Sequence, residues 1–340
     1  MTTHLRVVSA GPSSTLQDRG RIGYQRYGVS VAGAADPLLH AAANVLAGNP
    51  PAEGAVEFTL AGDCITVEGG TVRIAVAADA EVAVDGEPAP SWTSLRLRDG
   101  QTLRIGALRS GMRGYWAVEG GIAAQPVLGS VSTHIRSRMG GLDGGPLKAG
   151  DRLPLRLDQA PDRGEHRLDP SLLPRRSGTL RVMLGPQQDY FTAAGIEAFL
   201  SEDYAVSHEA DRMGCRLDGP TIEHARGFNI TSDGIPLGAV QVPGTGRPIV
   251  LLADRQTTGG YPKIACVVGP DLATLSQMRP GDRVRFAAVG PEEAWRIRAA
   301  QREAFDALPG LLQSAGAFAL YDSARLLGFN LIGGAVTGWD

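Results

Sequence analysis

The densest group of side chains that could bind a small molecule or transfer a proton lies in residues 251–262, LLADRQTTGGYP. An apolar strand is predicted over 249–253, and almost every residue after it carries a hydrogen-bonding group or lacks a side chain. A simple β-turn needs about four residues and no such density of polar groups. The segment predicts a site for a small polar ligand, and a polar loop closed by glycines is the simpler alternative. Its candidate residues are Asp254, Gln256, Thr258, Gly259, Gly260 and Tyr261.

Polar stretches of the same kind recur at 12–24, 206–217 and 238–246. Each mixes acids, arginines or amides with glycines that allow the backbone to turn. Their recurrence favours a ligand site assembled from several loops over one isolated polar loop. The candidates that they add are Gln17, Asp18, Arg21, Asp211, Arg212 and Gln241.

Three aspartates are the candidate acid or base groups, namely Asp18, Asp211 and Asp254. Asp254 is preferred because it ends an apolar strand. Partial desolvation there would raise the pKa of the carboxylate, whereas a nearby arginine would lower it. Arg212 and Arg21 are suited to hold a carboxylate or carbamate group, since a guanidinium binds such groups with two parallel hydrogen bonds.

Recognition of an amide needs a donor and an acceptor side by side, which Gln241, Gln256 and Thr258 supply. A structural role is the alternative for every candidate, because acids and arginines close in sequence often pair to fix a loop. The structural role is preferred for Asp18 with Arg21. The choice between a structural and a functional role stays open for Asp254 and Gln256.

Several common mechanisms lack their sequence signatures. There is no G-x-x-x-x-G-K-[ST] phosphate loop, no G-x-G-x-x-G and no G-x-S-x-G. The histidines show no metal-ligand spacing, so no metal is predicted. The run 129–134, GSVSTH, places hydroxyls near a histidine, but Ser and Thr in such turns usually bond local backbone. We therefore expect no cofactor bound by this chain alone and, if it is an enzyme, one subunit of a larger one.

Composition limits the class of protein. A chain of 340 residues that is 43% hydrophobic is expected to form two domains. Its 45 glycines and 22 prolines are typical of short strands with tight turns. A net charge of −3 gives no basic surface for nucleic acid, and no apolar run approaches the ~18 residues that cross a membrane. Three scattered cysteines and no visible signal peptide predict a cytoplasmic protein.

Alternating apolar residues predict strands through most of the chain. A helix is predicted over 37–46, with Asp36 as its N-cap and Gly48 after its end. Further helices are expected near 187–199 and from 291 to about 308. The predicted domains are an N-terminal β lobe at 1–157, a linker at 158–177, a C-terminal β lobe at 178–290, and a helix with an apolar tail at 291–340.

A series of motifs spread from residue 14 to residue 262 resembles the allophanate hydrolase subunit 2 family. The motifs, in chain order, are S-T-x-Q-D-x-G-R-x-G-Y, G-A-x-D, A-N-x-L-x-G-N, L-G-S-x-S-T, D-R-M-G-x-R-L, Q-V-P-x-x-G and D-x-Q-T-T-G-G-Y-P. This family includes the C subunit of bacterial 5-oxoprolinase, the KipA-type proteins and the carboxyltransferase region of urea carboxylase.

The resemblance implies a mainly β protein with two tandem cyclophilin-like β-barrel lobes, and a small amide or lactam substrate. The preferred function is that of the C subunit of 5-oxoprolinase, which opens 5-oxoproline to glutamate with A and B subunits and ATP. One alternative is a carboxyltransferase subunit that moves CO₂ from carboxybiotin to urea or a related amide. The second is a non-enzymatic KipA-type regulator that binds a KipI-like, B-type partner.

The resemblance also suggests how the candidates assemble. The backbone N–H groups of Gly259 or Gly260 would stabilise a developing oxyanion. The apolar segment 326–332 is a possible docking surface for the B-type partner, with core packing as the alternative. One cleft, closed or supported by the 15–21 loop, is expected to unite Asp254, Gln256, Thr258, Tyr261, Arg212 and Gln241.

Overall fold

The computed structural model describes residues 2–316, and its first half consists of two β-sheets around one core. Its strands are β1 (His4–Ser9), β2 (Ser14–Gln17), β3 (Ala55–Thr59), β4 (Cys64–Glu68), β5 (Val72–Ala77), β6 (Ala80–Val84), β7 (Glu87–Ala89), β8 (Ser94–Leu97), β9 (Thr102–Leu108), β10 (Arg113–Val118) and β11 (Arg152–Pro154). One sheet has the order β11-β1-β4-β9-β6-β7 and the other β2-β3-β10-β5-β8. Apolar side chains of both sheets, such as Ile65 and Trp116, meet in the core.

Helix α1 (Pro37–Ala47) covers the second of these sheets. It begins where the sequence predicted, because Asp36 accepts a hydrogen bond from the backbone N–H of Leu39 and a proline occupies the first turn. It ends at Gly48, which adopts the left-handed conformation that glycine tolerates best. The alanine-rich face of the helix allows close packing against Tyr115 of β10.

The second half contains a closed seven-stranded barrel of order β13-β20-β17-β18-β15-β14-β21. Its strands are β12 (His166–Arg167), β13 (Thr179–Leu184), β14 (Tyr204–Val206), β15 (Gly214–Asp218), β16 (Asp233–Gly234), β17 (Ala239–Gln241), β18 (Ile249–Leu251), β19 (Thr258–Gly259), β20 (Lys263–Val267), β21 (Arg283–Ala288) and β22 (Gln313–Ser314). Its helices are α2 (Ala193–Ser201), α3 (Gly269–Ser276) and α4 (Pro291–Ala307). Short pairs β12–β22 and β16–β19 lie outside the barrel.

The expected mainly β architecture with two β lobes and few helices is confirmed. The strands close into a continuous hydrogen-bonded ring in the second lobe, whereas the first lobe encloses its core between two separate sheets. The helix expected from 291 to about 308 is present as α4. Near 187–199 only the later part is α-helical, because the hydroxyl of Thr192 caps the backbone N–H of Gly195 and starts α2 there.

The segment predicted as a linker packs against the first lobe. Asp158 accepts a 2.8 Å hydrogen bond from the backbone N–H of Thr3, and Glu165 accepts two 3.0 Å bonds from Arg73. The domain limits remain a prediction. The apolar tail and its segment 326–332 lie outside the described residues. Within residues 2–316, none of the helices has the length and apolar character needed to cross a membrane.

Residues from later in the chain complete the hydrogen bonding around the start of α1. Gln277, just after α3, donates to Asp36 at 2.9 Å and accepts from the backbone N–H groups of Met112 and Arg113 at 3.1 and 3.0 Å. Arg176 donates to the same Asp36 carboxylate at 2.5 Å. These bonds join the two lobes at a buried polar contact.

Candidate functional site

A buried ion-pair network centred on Arg212 lies between the two lobes. Arg212 is on the loop before β15, and its guanidinium binds the Asp254 carboxylate with two 2.9 Å hydrogen bonds. It also donates to Glu57 on β3 and, at 2.7 Å, to the carbonyl of Gly33. Each of its three nitrogens thus donates to a protein group. The structure places Arg212 as the partner of Asp254 and Glu57.

Arg212 and Glu57 each stabilise the charged form of the other. Burial would lower the pKa of Arg212, but the Glu57 and Asp254 carboxylates raise it above its usual range. Burial would raise the pKa of Glu57, yet Arg212 and Arg113 hold it below its ordinary value. The Tyr115 hydroxyl donates to Glu57 at 2.5 Å, and burial together with the carboxylates of Glu57 and Asp36 raises the pKa of the phenol well above 10. Arg212 and Glu57 therefore stay charged at neutral pH.

Asp254 is buried between Arg212 and a second polar segment. Its backbone carbonyl lies 3.4 Å from Nε2 of His134. Asp211, the neighbouring acid candidate, is exposed and accepts hydrogen bonds from the backbone N–H groups of Met213 and Gly214 at 2.7 and 3.0 Å. Of the two candidate aspartates, Asp211 and Asp254, only Asp254 therefore belongs to the buried network.

The loop that carries Asp18 and Arg21 is fixed to residues 127–132 rather than by a pair between these two side chains. Asp18 accepts hydrogen bonds from the hydroxyls of Ser130 and Ser132 at 2.6 and 2.5 Å, and from the backbone N–H groups of Gly20 and Val131 at 2.8 Å. Burial would raise its pKa, but these bonds lower it. Asp18 therefore holds the loop in place through the serine hydroxyls and these backbone N–H groups, whereas the sequence analysis expected it to do so by pairing with Arg21.

Several buried polar atoms along this loop have no hydrogen-bond partner in the part of the chain that is described. They are Oε1 of Gln17, Nη1 of Arg21, Oγ1 of Thr133 and Nδ1 of His134. An unpaired buried polar group costs about 1–3 kcal/mol, so such a group usually has a water or a ligand as its partner. Of these residues, His134 lies next to the Arg212 network through its contact with the Asp254 carbonyl.

A second group of polar side chains lies over Gly259 at one end of the barrel. A Cβ atom built on Gly259 would lie 2.8 Å from Nε2 of Gln241 and 3.1 Å from Nε2 of Gln256. Gln241 is only 3% exposed, and among residues 2–316 its Nε2 has no hydrogen-bond partner. The two glutamines that sequence reasoning assigned to amide binding therefore both lie beside Gly259, and only glycine leaves room for their amides there.

This barrel-end cluster includes two residues that sequence reasoning did not single out, Lys263 and Asp233. Lys263 is the register partner of Gln241 across β20 and β17, and Asp233 is the register partner of Gly259 across β16 and β19. Nζ of Lys263 lies 2.8 Å from an Asp233 oxygen. A signal for Lys263 was present, since only two of the 33 basic residues are lysines.

The remaining candidates lie at the edge of the barrel-end cluster. Thr258 and Tyr261 are exposed, and the carbonyl of Gly260 accepts a 2.8 Å hydrogen bond from the backbone N–H of Ile230. Arg255 donates to the carbonyl of Ile235 and to Gln25, both at 3.0 Å. Residues 254–259 thus connect the Arg212 network with the barrel-end cluster. The sequence predicted that the residues of both groups would share one cleft.

Neither group of candidate residues forms a metal-binding site in the part of the chain that the structure describes. Residues 2–316 hold no group of three or more His, Cys, Asp or Glu side chains that could bind an ion. The polar groups on hand are guanidinium, ammonium, carboxylate, imidazole and amide. Their chemistry is that of binding anions and amides and of moving protons.

Comparison with known families identifies the class. The family model described as carboxyltransferase domain, subdomain A and B, matches residues 27–288. The match covers most of both lobes and includes Arg212, Gln241 and Asp254. The chain belongs to this carboxyltransferase-domain family.

Individual relatives are of two kinds. The chain is 36% identical to the C subunit of 5-oxoprolinase from Escherichia coli over 89% of its own length and 97% of the relative, and 36% identical to that of Haemophilus influenzae over 84% and 91%. It is 32% identical to the urea amidolyase of Saccharomyces cerevisiae over 91% of its length. The crystal structure of the Kluyveromyces lactis urea amidolyase superposes with a TM-score of 0.84 at 29% identity over 90% of this chain.

The two kinds of relative differ in how much of them this chain represents. It spans 18% of the Saccharomyces cerevisiae urea amidolyase and 20% of the Kluyveromyces lactis chain. It spans nearly the whole of the Escherichia coli 5-oxoprolinase subunit. The chain is thus similar to a complete subunit in one case and to one region of a larger enzyme in the other.

Proposed function

We propose that this chain is the C subunit of a 5-oxoprolinase and opens 5-oxoproline to glutamate together with A and B subunits. In that reaction the lactam C–N bond breaks, a water oxygen bonds to the carbonyl carbon, and the ring nitrogen leaves as an amine that takes up a proton. Hydrolysis of ATP to ADP and phosphate, assigned to the partner subunits, supplies the free energy. Similarity to the 5-oxoprolinase C subunit over 97% of the relative supports this function.

The observation that carries the proposal is the pair of glutamine amides over Gly259. A lactam presents an N–H donor next to a C=O acceptor, and Gln241 with Gln256 offers the complementary groups. Backbone N–H groups of Gly259 or Gly260 would stabilise the oxyanion as water adds to the carbonyl. Thr258 and Tyr261 stand at the exposed edge, where a substrate would enter.

Asp254 is the proposed proton acceptor for the attacking water. Its carboxylate accepts two bonds from Arg212, which leaves further lone pairs on its oxygens for a water molecule. Because the nitrogens of Arg212 are engaged by protein groups, its proposed role is to position Asp254. Gln17 and Arg21, with unpaired buried atoms near His134, would complete the polar surroundings of the substrate.

The test is ATP-dependent ring opening by the complex of this chain with its A and B subunits. Asp254→Asn keeps the shape of the side chain and removes the base, and we expect a loss of turnover of roughly 10²-fold or more. Asp218→Asn, at an exposed aspartate paired with Arg247, is the matched control and should turn over normally. Normal turnover by Asp254→Asn would show that Asp254 is structural.

Carboxyl transfer is the second candidate function, favoured by the family model and by the urea amidolyase relatives. The same amide-binding groups would then hold urea or a related amide while carboxybiotin, carried by another domain, delivers CO₂. A complex that fails to open 5-oxoproline but carboxylates an amide with carboxybiotin would establish this alternative.

A further inference from the structure

We propose that Lys263 binds the carboxylate of the substrate, and that the substrate is therefore a small lactam or amide that carries a carboxylate group. The inference rests on the proposed function and extends it, since it assigns a residue to the acidic part of the molecule. The carboxylate would take the place of Asp233 beside Nζ of Lys263. No covalent bond forms or breaks in this step.

The first support is an unequal ion pair. The Lys263 side chain is 2% exposed, whereas the side chain of its partner Asp233 is 53% exposed. Arg73 and Arg212, which are also buried cations, each pair with at least one carboxylate that is itself buried. Lys263 therefore has a counter-ion that faces solvent, and a soluble anion can replace it without removing a buried carboxylate from the protein.

The second support is the unpaired amide beside Lys263. Gln241 is its register partner, and the buried Nε2 of Gln241 has no acceptor within the described part of the chain. An unpaired buried N–H group is costly, so this position favours an oxygen acceptor from a ligand. The NH2 group of Gln241 has two N–H donors, so one can bind the lactam carbonyl while the other, with the Lys263 ammonium on the paired strand, binds the two oxygens of a carboxylate.

The third support is the choice of lysine. Of 33 basic residues only Lys148 and Lys263 are lysines, and Lys148 is exposed. Lysine donates in three directions from a compact charge, whereas the planar guanidinium of arginine directs its donors along a fixed fork. A site that must bind Asp233 in one state and a ligand in the other is better served by the ammonium.

The chemistry separates the two candidate functions. 5-Oxoproline carries a carboxylate on the carbon next to its ring nitrogen, so the group that Lys263 would bind is close to the amide that the glutamines would bind. Urea has no carboxylate and would leave Lys263 paired with Asp233. A role for Lys263 in substrate affinity therefore favours the lactam acid.

The experiment titrates the full-length chain with 5-oxoproline and with 2-pyrrolidinone, the same lactam without the carboxylate, by isothermal titration calorimetry. Lys263→Met should weaken 5-oxoproline binding roughly 10- to 100-fold, the usual effect of losing a hydrogen bond to a charged group, and leave 2-pyrrolidinone unchanged. Lys263→Arg should restore part of the affinity. Lys148→Met is the matched control, since its 2.8 Å pair with Asp143 is exposed.

Asp233→Asn distinguishes a substrate role from a structural ion pair, and it tests the proposal even if Lys263→Met does not fold. Removing the Asp233 carboxylate should leave the affinity for 5-oxoproline unchanged or higher. If the Lys263–Asp233 pair is only structural, Asp233→Asn and Lys263→Met should lower that affinity to the same extent. In the assembled complex Lys263→Met should raise KM for 5-oxoproline and change kcat little.

Three results would overturn the assignment to Lys263: no binding of 5-oxoproline by the wild-type chain, equal weakening of both probes in Lys263→Met, or the same loss in Asp233→Asn and Lys263→Met. Failure of the proposed function has a different signature. It appears as absence of ATP-dependent ring opening in the wild-type complex, whatever the calorimetry of the single chain shows.

Discussion

Glu57 and Arg212 lie 155 residues apart in the chain and form one buried ion pair between the two lobes. Glu57 belongs to β3 of the first lobe, and Arg212 precedes β15 of the second-lobe barrel. Because Arg212 also binds Asp254, the position of the proposed proton acceptor depends on a residue of the other lobe. The ion pairs of Arg212 therefore both connect the two lobes and position the proposed proton acceptor.

Arg212→Met should destabilise the protein strongly. It leaves the carboxylates of Glu57 and Asp254 buried without their shared cation, a change that typically costs about 3–5 kcal/mol. The free energy of unfolding from urea titration measures the effect. Arg247→Met removes an exposed pair with Asp218 and should cost no more than about 1 kcal/mol. Equal losses in the two variants would contradict a special role for the buried network.

Acid should weaken the folded state through Glu57. Its pKa is lower in the folded protein than the ordinary value of 4.5, so the unfolded chain binds the proton more readily. The stabilisation of the folded protein by the Glu57 carboxylate is complete above about pH 4.5, and it is lost as the pH falls through the pKa of Glu57 in the folded state. Asp18, whose pKa is also lowered, contributes in the same direction. Melting temperatures from pH 3 to 7 should depend less on pH in Glu57→Gln than in the wild type, and parallel curves would refute the assignment.

Gly259→Ala should displace the glutamine amides of the barrel-end cluster. The new Cβ would lie 2.7 Å from Cδ1 of Ile235 and 2.8 Å from Nε2 of Gln241, closer than carbon atoms normally approach. Displacing the amides should reduce kcat/KM for 5-oxoproline roughly tenfold or more. Gly234→Ala is the control on the paired strand β16, since a Cβ there meets nothing within 4 Å. The hypothesis fails if both variants lose activity to the same extent.

A stable complex with a B-type subunit is expected on co-expression. Two relatives that this chain matches over more than nine-tenths of their length are named as subunits, and its sequence has no G-x-x-x-x-G-K-[ST] phosphate loop for ATP. Size-exclusion chromatography at micromolar concentration should give one joint peak. A variant with alanines across 326–332 tests whether that segment takes part. Two separate peaks for the wild-type pair would count against the complex.

Local sequence signals predicted the elements well. The Asp36 cap and Gly48 stop define α1 within one residue of the predicted end, because capping depends on neighbours in the chain. Prediction was weaker near 187–199, where the cap at Thr192 decides the start of α2. The closure of the barrel in one lobe and not in the other depends on pairing between distant strands, which no local pattern reveals.

The site was predictable in part. The meeting of Gln241 with Gln256, and of Arg212 with Asp254, followed from polar loops at strand ends. Glu57 gave no comparable signal, because it lies between apolar residues of a strand and its partner is far away in the sequence. Lys263 was missed for a similar reason, since it starts an apolar strand and shows its environment only when Gln241 and Asp233 are brought beside it.

The polar contact at Asp36 has a consequence for biosynthesis. A ribosome delivers the first lobe before it has made Arg176, Arg212 or Gln277, the residues that pair with Asp36 and Glu57. Until Arg176 and Arg212 have been made, the nascent first lobe holds Asp36 and Glu57 without their closest cations. A chain that ends before residue 176 lacks both cations, and we expect such a fragment to be less stable and more open to proteolysis. Synthesis of the start of the second lobe therefore supplies the charges that complete the first.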